Sequence, residues 1–498
     1  MPKSLKKAFF SLNLFVLFLL CGTFATTSFA ATYTVTKTAD TNDGVCNADC
    51  SLREAVAAAN ASVGADTIVF APVLNNQIIL LTTGEIVITD DLTVDNPGTS
   101  VITISGNNNS RVFSMLGTPP VPPSTPAIPI SVTINGIIFT NGNGTGGNTG
   151  SDGIGGALLA IDANLVLRRS TIRFSAATDD GGGINIFRAG PHRIIDSTIN
   201  DNTVSNAIQG SGICGGLSVD SATLYLLNST ITRNRVTNGG DAGGVCNQNT
   251  EGAAGPIMKI RNSTITENTA DGDFGGVYNA TSAALDIANT IVANNTANTA
   301  PDIFNDPNTA APSTLTSLGS NIFGTLINSN VAQQSSDIVT QTINVGALGN
   351  YGGPTQTIRL FANSPAINAG DNTLAVDPGT GAALANDQRG PGFNRIITGR
   401  VDIGAFEFAP PTAADVSVSG QTLLAPARRL SYVYVHLTSV TTGETITAVS
   451  NSRSTFRFRA VKSGEMYILS VTNTRFNFVP QLITVDGEIQ NLQVVLTR

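Results

Sequence analysis

Tryptophan is absent from this 498-residue chain, histidine occurs twice, and charged residues make up only 12% of it. Each shortage excludes something. His192 and His436 stand alone and far apart, so a histidine-based metal centre is excluded. Beyond Lys3, Lys6 and Lys7 the only lysines are Lys37, Lys259 and Lys462, and the formal net charge is −8. An acidic chain without a basic cluster excludes nucleic acid and anionic membrane as partners. No serine sits in a Gly-x-Ser-x-Gly elbow with a partner, which removes that class of hydrolase. Long apolar runs are also missing, save Ala8 to Leu20, which is too short to span a bilayer comfortably. With the lysines before it and Ser28-Phe29-Ala30 after it, that run reads as a signal peptide over residues 1–30, followed by a mature chain with no transmembrane segment. Cys21 lacks the small residue before it that a lipoprotein box needs. Removing the signal peptide takes the charge from −8 to −11 and leaves four of the five cysteines.

What is present is repetition. Between about residues 181 and 295 the chain repeats a small-small-aliphatic step followed by Ser/Asn-Thr-Ile-x-x-Asn. The steps are Gly182-Gly183-Ile184, Ser211-Gly212-Ile213, Gly243-Gly244-Val245 and Gly275-Gly276-Val277. They lead to Ser197-Thr198-Ile199 and Asn202, Ser229-Thr230-Ile231 and Asn234, Ser263-Thr264-Ile265 and Asn268, and Asn289-Thr290-Ile291 and Asn294. A less complete copy is Gly155-Gly156-Ala157 with Ser170-Thr171-Ile172. The Thr-Ile steps recur at intervals of 27, 32, 34 and 26 residues, a period that marks a repeat architecture. No unit carries a helix-length stripe of period 3.6; each offers short alternating strands between Gly, Asn and Asp turns. Such units stack edge to edge at about 4.8 Å. The expected fold is all-β: a right-handed parallel β-helix, a pectin lyase-like solenoid, with a column of Ile199, Ile231, Ile265 and Ile291 inside. A ladder of Asn202, Asn234, Asn268 and Asn294 is expected at a turn, because Asn tolerates left-handed backbone angles. An antiparallel sandwich array would explain the alternation but not the in-register identity.

Ser51-Leu52-Arg53-Glu54 is a capping box opening a short amphipathic helix to about Asn60. This helix-bearing unit, residues 31–76, is the expected N-terminal cap of the solenoid. Cys50-Ser51-Leu52-Arg53-Glu54-Ala55, with the flanking residues 39–44 and 66–70, resembles the CSLREA domain of bacterial secreted proteins, which implies export and a following β-helix. The solenoid is expected over 77–408, with the excursion 118–129 rich in proline and a looser pattern from 301 to 336. Its repeats resemble those of polymorphic outer membrane proteins, with Ile in the aromatic position. From about 340, Ser364-Pro365-Ala366-Ile367-Asn368-Ala369-Gly370-Asp371, Asp387-Gln388-Arg389-Gly390 and Val401-Asp402-Ile403-Gly404-Ala405-Phe406-Glu407 resemble the choice-of-anchor Q domain. That block is read as a C-terminal cap over the last coil, with Asp387, Arg389, Arg395, Asp402 and Glu407 as a paired network. Residues 409–414 form a Pro-stiffened linker. Residues 415–498 alternate in about seven short strands, a β-sandwich that resembles the carboxypeptidase regulatory-like domain. They are too few for a membrane barrel of about twelve strands.

Pectate lyases, polygalacturonases and alginate epimerases share the expected fold, so fold alone does not decide catalysis. A lyase needs clustered carboxylates for Ca²⁺ and an Arg or Lys base, and a hydrolase needs close carboxylates. No such cluster is legible. Arg168, Arg169, Arg173, Arg193, Arg233 and Arg235 are read as a solvated outer face. The sequence therefore favours an exported, secreted or cell-surface, non-catalytic protein of adhesive kind, binding polysaccharide or cell-surface components. The alternative is a polysaccharide lyase or glycoside hydrolase. No catalytic residue, cofactor-binding residue or cofactor is assigned. Asp241 and Asp273, two residues ahead of their Gly-Gly pairs as is Asp180, are expected on adjacent coils and to hold Ca²⁺ weakly at most, with Gln209 interrupting the column. Two disulfides are expected in an oxidising compartment: Cys46–Cys50, fixing the loop before Ser51, and Cys214–Cys246 across neighbouring coils. The second follows from aligning 211–214 with 243–246; a rival alignment takes Gly215-Gly216-Leu217 as the step.

Overall fold

The repeated Asn-Ser-Thr-Ile-x-x-Asn string assigns a separate duty to each residue of a coil. Asn228 and Asn262 hold φ of 47°, a left-handed corner that Asn adopts more readily than most residues. The Ser after the corner bonds the next coil. The Thr points outward and the Ile inward, and the closing Asn bonds the next coil at a second corner. In the computed structural model of the chain, which describes residues 30–497 except 98–100, 121–126, 147–150, 206–212, 252–254, 308–310, 328, 410–414, 426–427, 441–442, 473–474 and 486, these coils stack into a right-handed parallel β-helix. The expected signal peptide and most of the linker lie outside the described residues.

Three parallel sheets run the length of the solenoid. The first has ten strands, from Thr32–Val35 to Thr314–Gly319; the second has eight, from Ile86–Ile88 to Ile303–Asn305; the third has ten, from Ile78–Leu80 to Ile338–Val339. A fourth, four-stranded sheet runs from Ala176–Ala177 to Thr269–Ala270. Inside the third sheet the buried column is Phe139, Ile172, Ile199, Ile231, Ile265, Val292 and Phe323. Ile291 is therefore not a member: it pairs with Thr264 and faces outward. The inward column of the second sheet reads Ile184, Leu217, Val245, Val277. So Gly215-Gly216-Leu217 is the step of its repeat and Ile213 is not. The glycines are required by the approach of the coils: a Cβ on Gly182 would lie 2.4 Å from the Gly215 carbonyl oxygen, and one on Gly244 would lie 2.3 Å from that of Gly276.

Two side-chain ladders run along the corners. In one, the Asn202 amide donates to Asn234 Oδ1 (3.1 Å), Asn234 to Asn268 Oδ1 (3.1 Å) and Asn268 to Asn295 Oδ1 (3.0 Å), with each Nδ2 repeating the link. The ladder residue of the fourth repeat is Asn295 and not Asn294. Left-handed angles belong to the residue before each rung, Asp201, Arg233, Glu267 and Asn294, at φ between 55° and 59°. The rungs are fixed by burial: their amides replace backbone partners that the corner removes. In the other ladder the amides of Ser170, Ser197, Ser229 and Ser263 each donate to the hydroxyl of the next coil, ending on Thr290. Each ladder terminates in a carboxylate. Asp302 accepts from Asn295 (3.0 Å), and Asp337 accepts from Asn321 (2.9 Å), which itself accepts from Thr290. A negative group there suits the outward-facing donors of a row of aligned amides.

The N-terminal unit is built into the solenoid: Thr32–Val35 and Asp66–Phe70 are the first strands of the first sheet. Residue 76 is thus no domain boundary. The helix Leu52–Ala61 closes the open coil with Leu52, Ala55, Val56 and Ala59 in the main core. Its capping box is formed, Glu54 reaching the Ser51 amide at 2.7 Å and Ser51 Oγ receiving the Glu54 amide at 3.1 Å. Arg53 binds Asp40 (2.8 Å) and the carbonyls of Gly84 and Glu85, tying the helix to the coil beneath. Cys46 and Cys50 are bonded, with Cα atoms 4.5 Å apart. Beyond Asn295 the coils continue, through Ile303–Asn305, Thr314–Gly319 and Ile322–Phe323. The far end is closed by the segment following Phe323, whose Leu326 and Val331 pack on the core. Residues 415–497 fold as two four-stranded sheets around Val418, Val435, Leu437, Phe456, Phe458, Leu469, Val494 and Leu496.

Candidate functional site

The three outer faces of the solenoid differ in what covers them. On the third sheet the outward row is Thr198, Thr230, Thr264, Ile291 and Ile322. Residues 343–408 lie along that row, flanking several coils. They do not cap the last one, which is a correction to the expectation from sequence. The Gln388 side chain receives the Thr230 hydroxyl at 2.5 Å and donates to Thr198 Oγ1 at 2.9 Å and Thr355 Oγ1 at 3.1 Å. The Ala405 amide donates to Thr264 Oγ1 at 3.0 Å, and Asp371 and Asn289 exchange two bonds. Ile291 and Ile322 pack with Ile343, Leu360, Ala366, Ile403 and Phe406. The Thr of each repeat is thus a docking point for the cover. The charge cluster lies inside this cover as a paired network. Arg389 holds Asp387 (2.6 Å), Arg395 holds Glu407 (3.0 Å), and the Glu407 and Phe408 amides donate to Asp387 and Asp402. Burial, with Arg395 opposing and Asp402 adding, pushes the Glu407 carboxyl up to about 8. Asn228 and Asn262, which begin glycosylation sequons, are buried here: Asn228 receives Arg395 at 2.6 Å.

The second sheet's outward row, Ser114, Leu159, Asn185, Ser218 and Cys246, is also buried. Cys214 and Cys246 are bonded over it, Cα atoms 5.6 Å apart, although Cys246 pairs with Ser218 in the sheet. Four residues of offset separate the cysteines, but the chain turns at Gly215-Gly216, so the offset folds back and does not extend along a strand. Ile213 bridges Asp180 and Asp241, while Gln209, expected to interrupt the column, lies outside the described residues. Asp241 accepts the Asp273 amide at 2.6 Å and Asp273 accepts the Thr299 hydroxyl at 2.6 Å, so each carboxylate bonds the following coil. Among the described residues no group of three or more His, Cys, Asp or Glu gathers as metal ligands do. Among the described residues Asp180 Oδ1, like Asp66 Oδ2 and Asp162 Oδ1, is a buried carboxyl oxygen without a hydrogen-bond partner. Burial, with Asp179 beside it, pushes the Asp180 carboxyl up to about 7. Sequence reasoning ranked Asp180 only as a column member, since its burial depends on loops with no repeat signal.

The first sheet presents a long, mostly polar and half-buried outward row, Thr93, Thr133, Val166, Arg193, Tyr225, Lys259, Asp286 and Thr316, on which Gly379 of the cover packs against Tyr225 and Arg193. Tyr225 stands between two cations, its ring centre 5.3 Å from the Arg193 guanidinium and 5.9 Å from Lys259 Nζ. Arg168 is exposed nearby, and Asp377 of the cover is ion-paired with Arg193. Of the arginines read as a solvated outer face, Arg169 bonds Asn135, Arg233 bonds Asp201 and Arg235 bonds Asp271. They are surface pairs, as a solvated face has.

His192 lies inside the barrel. The Leu165 amide donates to its Nδ1 (3.1 Å) and its Nε2 lies 3.0 Å from the Arg188 carbonyl, so the ring is neutral with the proton on Nε2. Burial, with the Arg188 carbonyl opposing, lowers its pKa from 6.5 to about 4. Its stabilising contribution is therefore complete above pH 6.5 and is lost as pH falls through that window, up to about 3 kcal/mol in all. Urea midpoints measured from pH 7 to pH 4 are expected to fall more steeply for the native chain than for His192→Gln. Parallel curves would show the ring is not buried neutral.

No family model matches the chain and no curated protein matches it. Among solved structures it is similar to one titled "Crystal structure of pectate lyase Pel9A", at 13% identity and a TM-score of 0.40, over 76% of this chain and 97% of that one.

Proposed function

We propose that this is an extracellular, non-catalytic β-helix protein that binds polysaccharide or other cell-surface material along the outer face of its first sheet. The observation that carries the reading is the disposition of the three faces. The third is filled by residues 343–408 and the second is buried, while the first presents Thr, Arg, Tyr, Lys and Asp side chains in register. Successive side chains stand about 4.8 Å apart, a spacing suited to an extended chain of sugars. The non-catalytic reading is supported by the acids that gather with other charges: Asp387, Asp402 and Glu407 are each held by an amide or an arginine. Two disulfides support an exported protein. Among the described residues no helix is long and apolar enough to cross a membrane. The signal peptide at 1–30, the CSLREA-like start and the choice-of-anchor Q-like cover belong to the same proposal and rest on their motifs. We assign no cofactor, and Asp241 and Asp273 at most weak Ca²⁺ binding.

Affinity electrophoresis of the full chain against a panel of acidic and neutral polysaccharides tests the proposal. Tyr225→Ala and Lys259→Ala are each expected to weaken retention about tenfold, or ~1.4 kcal/mol, with the melting temperature of Lys259→Ala unchanged. Retention by no polysaccharide, or retention indifferent to both substitutions, contradicts it. One observation favours the second reading, a lyase or hydrolase: the raised carboxyl of Asp180, whose acidity is suited to proton transfer near neutral pH. Release of new chain ends that stops in Asp180→Asn would establish that reading instead.

A further inference from the structure

Residues 344–363 and 389–409 of the lateral cover face residues 463–466 of the C-terminal sandwich across a cleft of about 1080 Å³. Aromatic rings and planar amides line it. The Arg359 guanidinium lies 5.3 Å from the Tyr351 ring centre and 5.0 Å from that of Phe361, and donates to Thr484 Oγ1 at 2.7 Å. Arg389 lies 4.1 Å from the Phe393 ring centre and 3.8 Å from that of Phe406, with its charge matched by Asp387 at 2.6 Å. Glu465 also borders the cleft. Arg389 is therefore paired in place, and the lining counts Glu465 against Arg359, so the cleft carries no surplus charge of either sign.

We infer that this cleft binds a neutral oligosaccharide. Three features converge on that class. The half-buried rings of Tyr351 and Phe393 give flat apolar surfaces to the C–H faces of pyranose rings. The side chains of Asn350, Asn363 and Asn394 border the cleft, exposed, and each offers a donor and an acceptor side by side, the pattern that vicinal hydroxyls answer. The volume of about 1080 Å³ lies just above the usual range of about 300–1,000 Å³ for ligand clefts, which is room for several sugar units and more than one hexose fills. An anionic ligand would meet Glu465 in the lining and find Arg389 already paired with Asp387. A purely apolar one would have to strip water from the asparagines without replacing its hydrogen bonds. The site shares no residue with the first-sheet face and does not rest on that reading.

Titration calorimetry of the full chain with maltohexaose and with cellohexaose, two neutral glucans of different linkage, tests the inference. At least one is expected to bind, with Asn394→Ala and Phe393→Ala each weakening it about tenfold and Asn109→Ala, an exposed position on an early coil, leaving it unchanged. Asn394 is exposed, so its variant keeps the test usable if Phe393→Ala does not fold. Heat from neither glucan overturns the inference. So does binding lost in Tyr225→Ala but kept in Asn394→Ala, which would move the sugar to the first-sheet face.

Discussion

Replacing Arg111 with alanine is expected to destabilise the protein by about 3–5 kcal/mol, the usual cost of leaving a buried charge without its partner. Arg111 and Glu85 are both buried, and Nη1 lies 2.5 Å from Glu85 Oε2. The same guanidinium donates to the carbonyls of Ser151, Ile154 and Gly155, at 2.8, 2.8 and 2.9 Å. It thereby fastens the loop that covers the second sheet. Without it a carboxylate remains in a dry place and three carbonyls lose a donor. The double change Arg111→Met with Glu85→Leu removes both charges and is expected to cost clearly less than Arg111→Ala alone. Denaturant midpoints of the three variants decide this. A loss below about 1 kcal/mol in Arg111→Ala, the range of an exposed pair, would mean the pair is solvated.

Asn234→Ala is the second large effect, at about 2–5 kcal/mol from orphaned backbone groups. Asn234 has no solvent exposure. Its oxygen accepts the Asn202 amide and its Nδ2 donates to Ile199 O at 2.9 Å and Asn268 Oδ1 at 3.0 Å. Alanine leaves the Asn202 amide without an acceptor and the Ile199 carbonyl without that donor, both on the preceding coil. Because each rung polarises the next, Asn234→Ala with Asn268→Ala is expected to cost less than the sum of the singles. Strict additivity in urea titrations would mean the rungs act separately. Substitution of exposed Asn109, on the same solenoid, serves as the control, with an expected change within about 0.5 kcal/mol.

The coil architecture was legible because each coil contributes one residue of each kind, so that spacing alone identifies Ile199, Ile231 and Ile265 as neighbours. The fourth repeat was misread by one position for a physical reason. Register is set by the left-handed corner at Asn289, not by the Thr-Ile pair that follows it, and counting from that corner places Val292 inside and Asn295 on the ladder. The Cys214–Cys246 pairing was reached through the wrong step, since residues 211–213 and 215–217 both look like glycine corners. Only the close approach of Gly216 to Gly244 distinguishes them. The lateral cover was not legible at all. Gln388 meets Thr198 and Thr230 across 190 and 158 residues, and no periodicity connects them. Its network of Asp387, Arg389, Arg395, Asp402 and Glu407 was readable as a paired cluster, but not the sheet face it would seal. The partial exposure of the first sheet's face, where Asp377 and Gly379 of the cover meet Arg193 and Tyr225, was out of reach for the same reason.

The central claim is binding without turnover, and the most direct measurement is to follow the length of a polysaccharide while the protein holds it. A polymer retained in affinity electrophoresis is incubated with the full chain, with and without Ca²⁺, and then sized by gel filtration and assayed for reducing and unsaturated ends. The account predicts an unchanged size distribution and no new ends under either condition. A shift to shorter chains, abolished by Asp180→Asn, would contradict it and make the protein an enzyme.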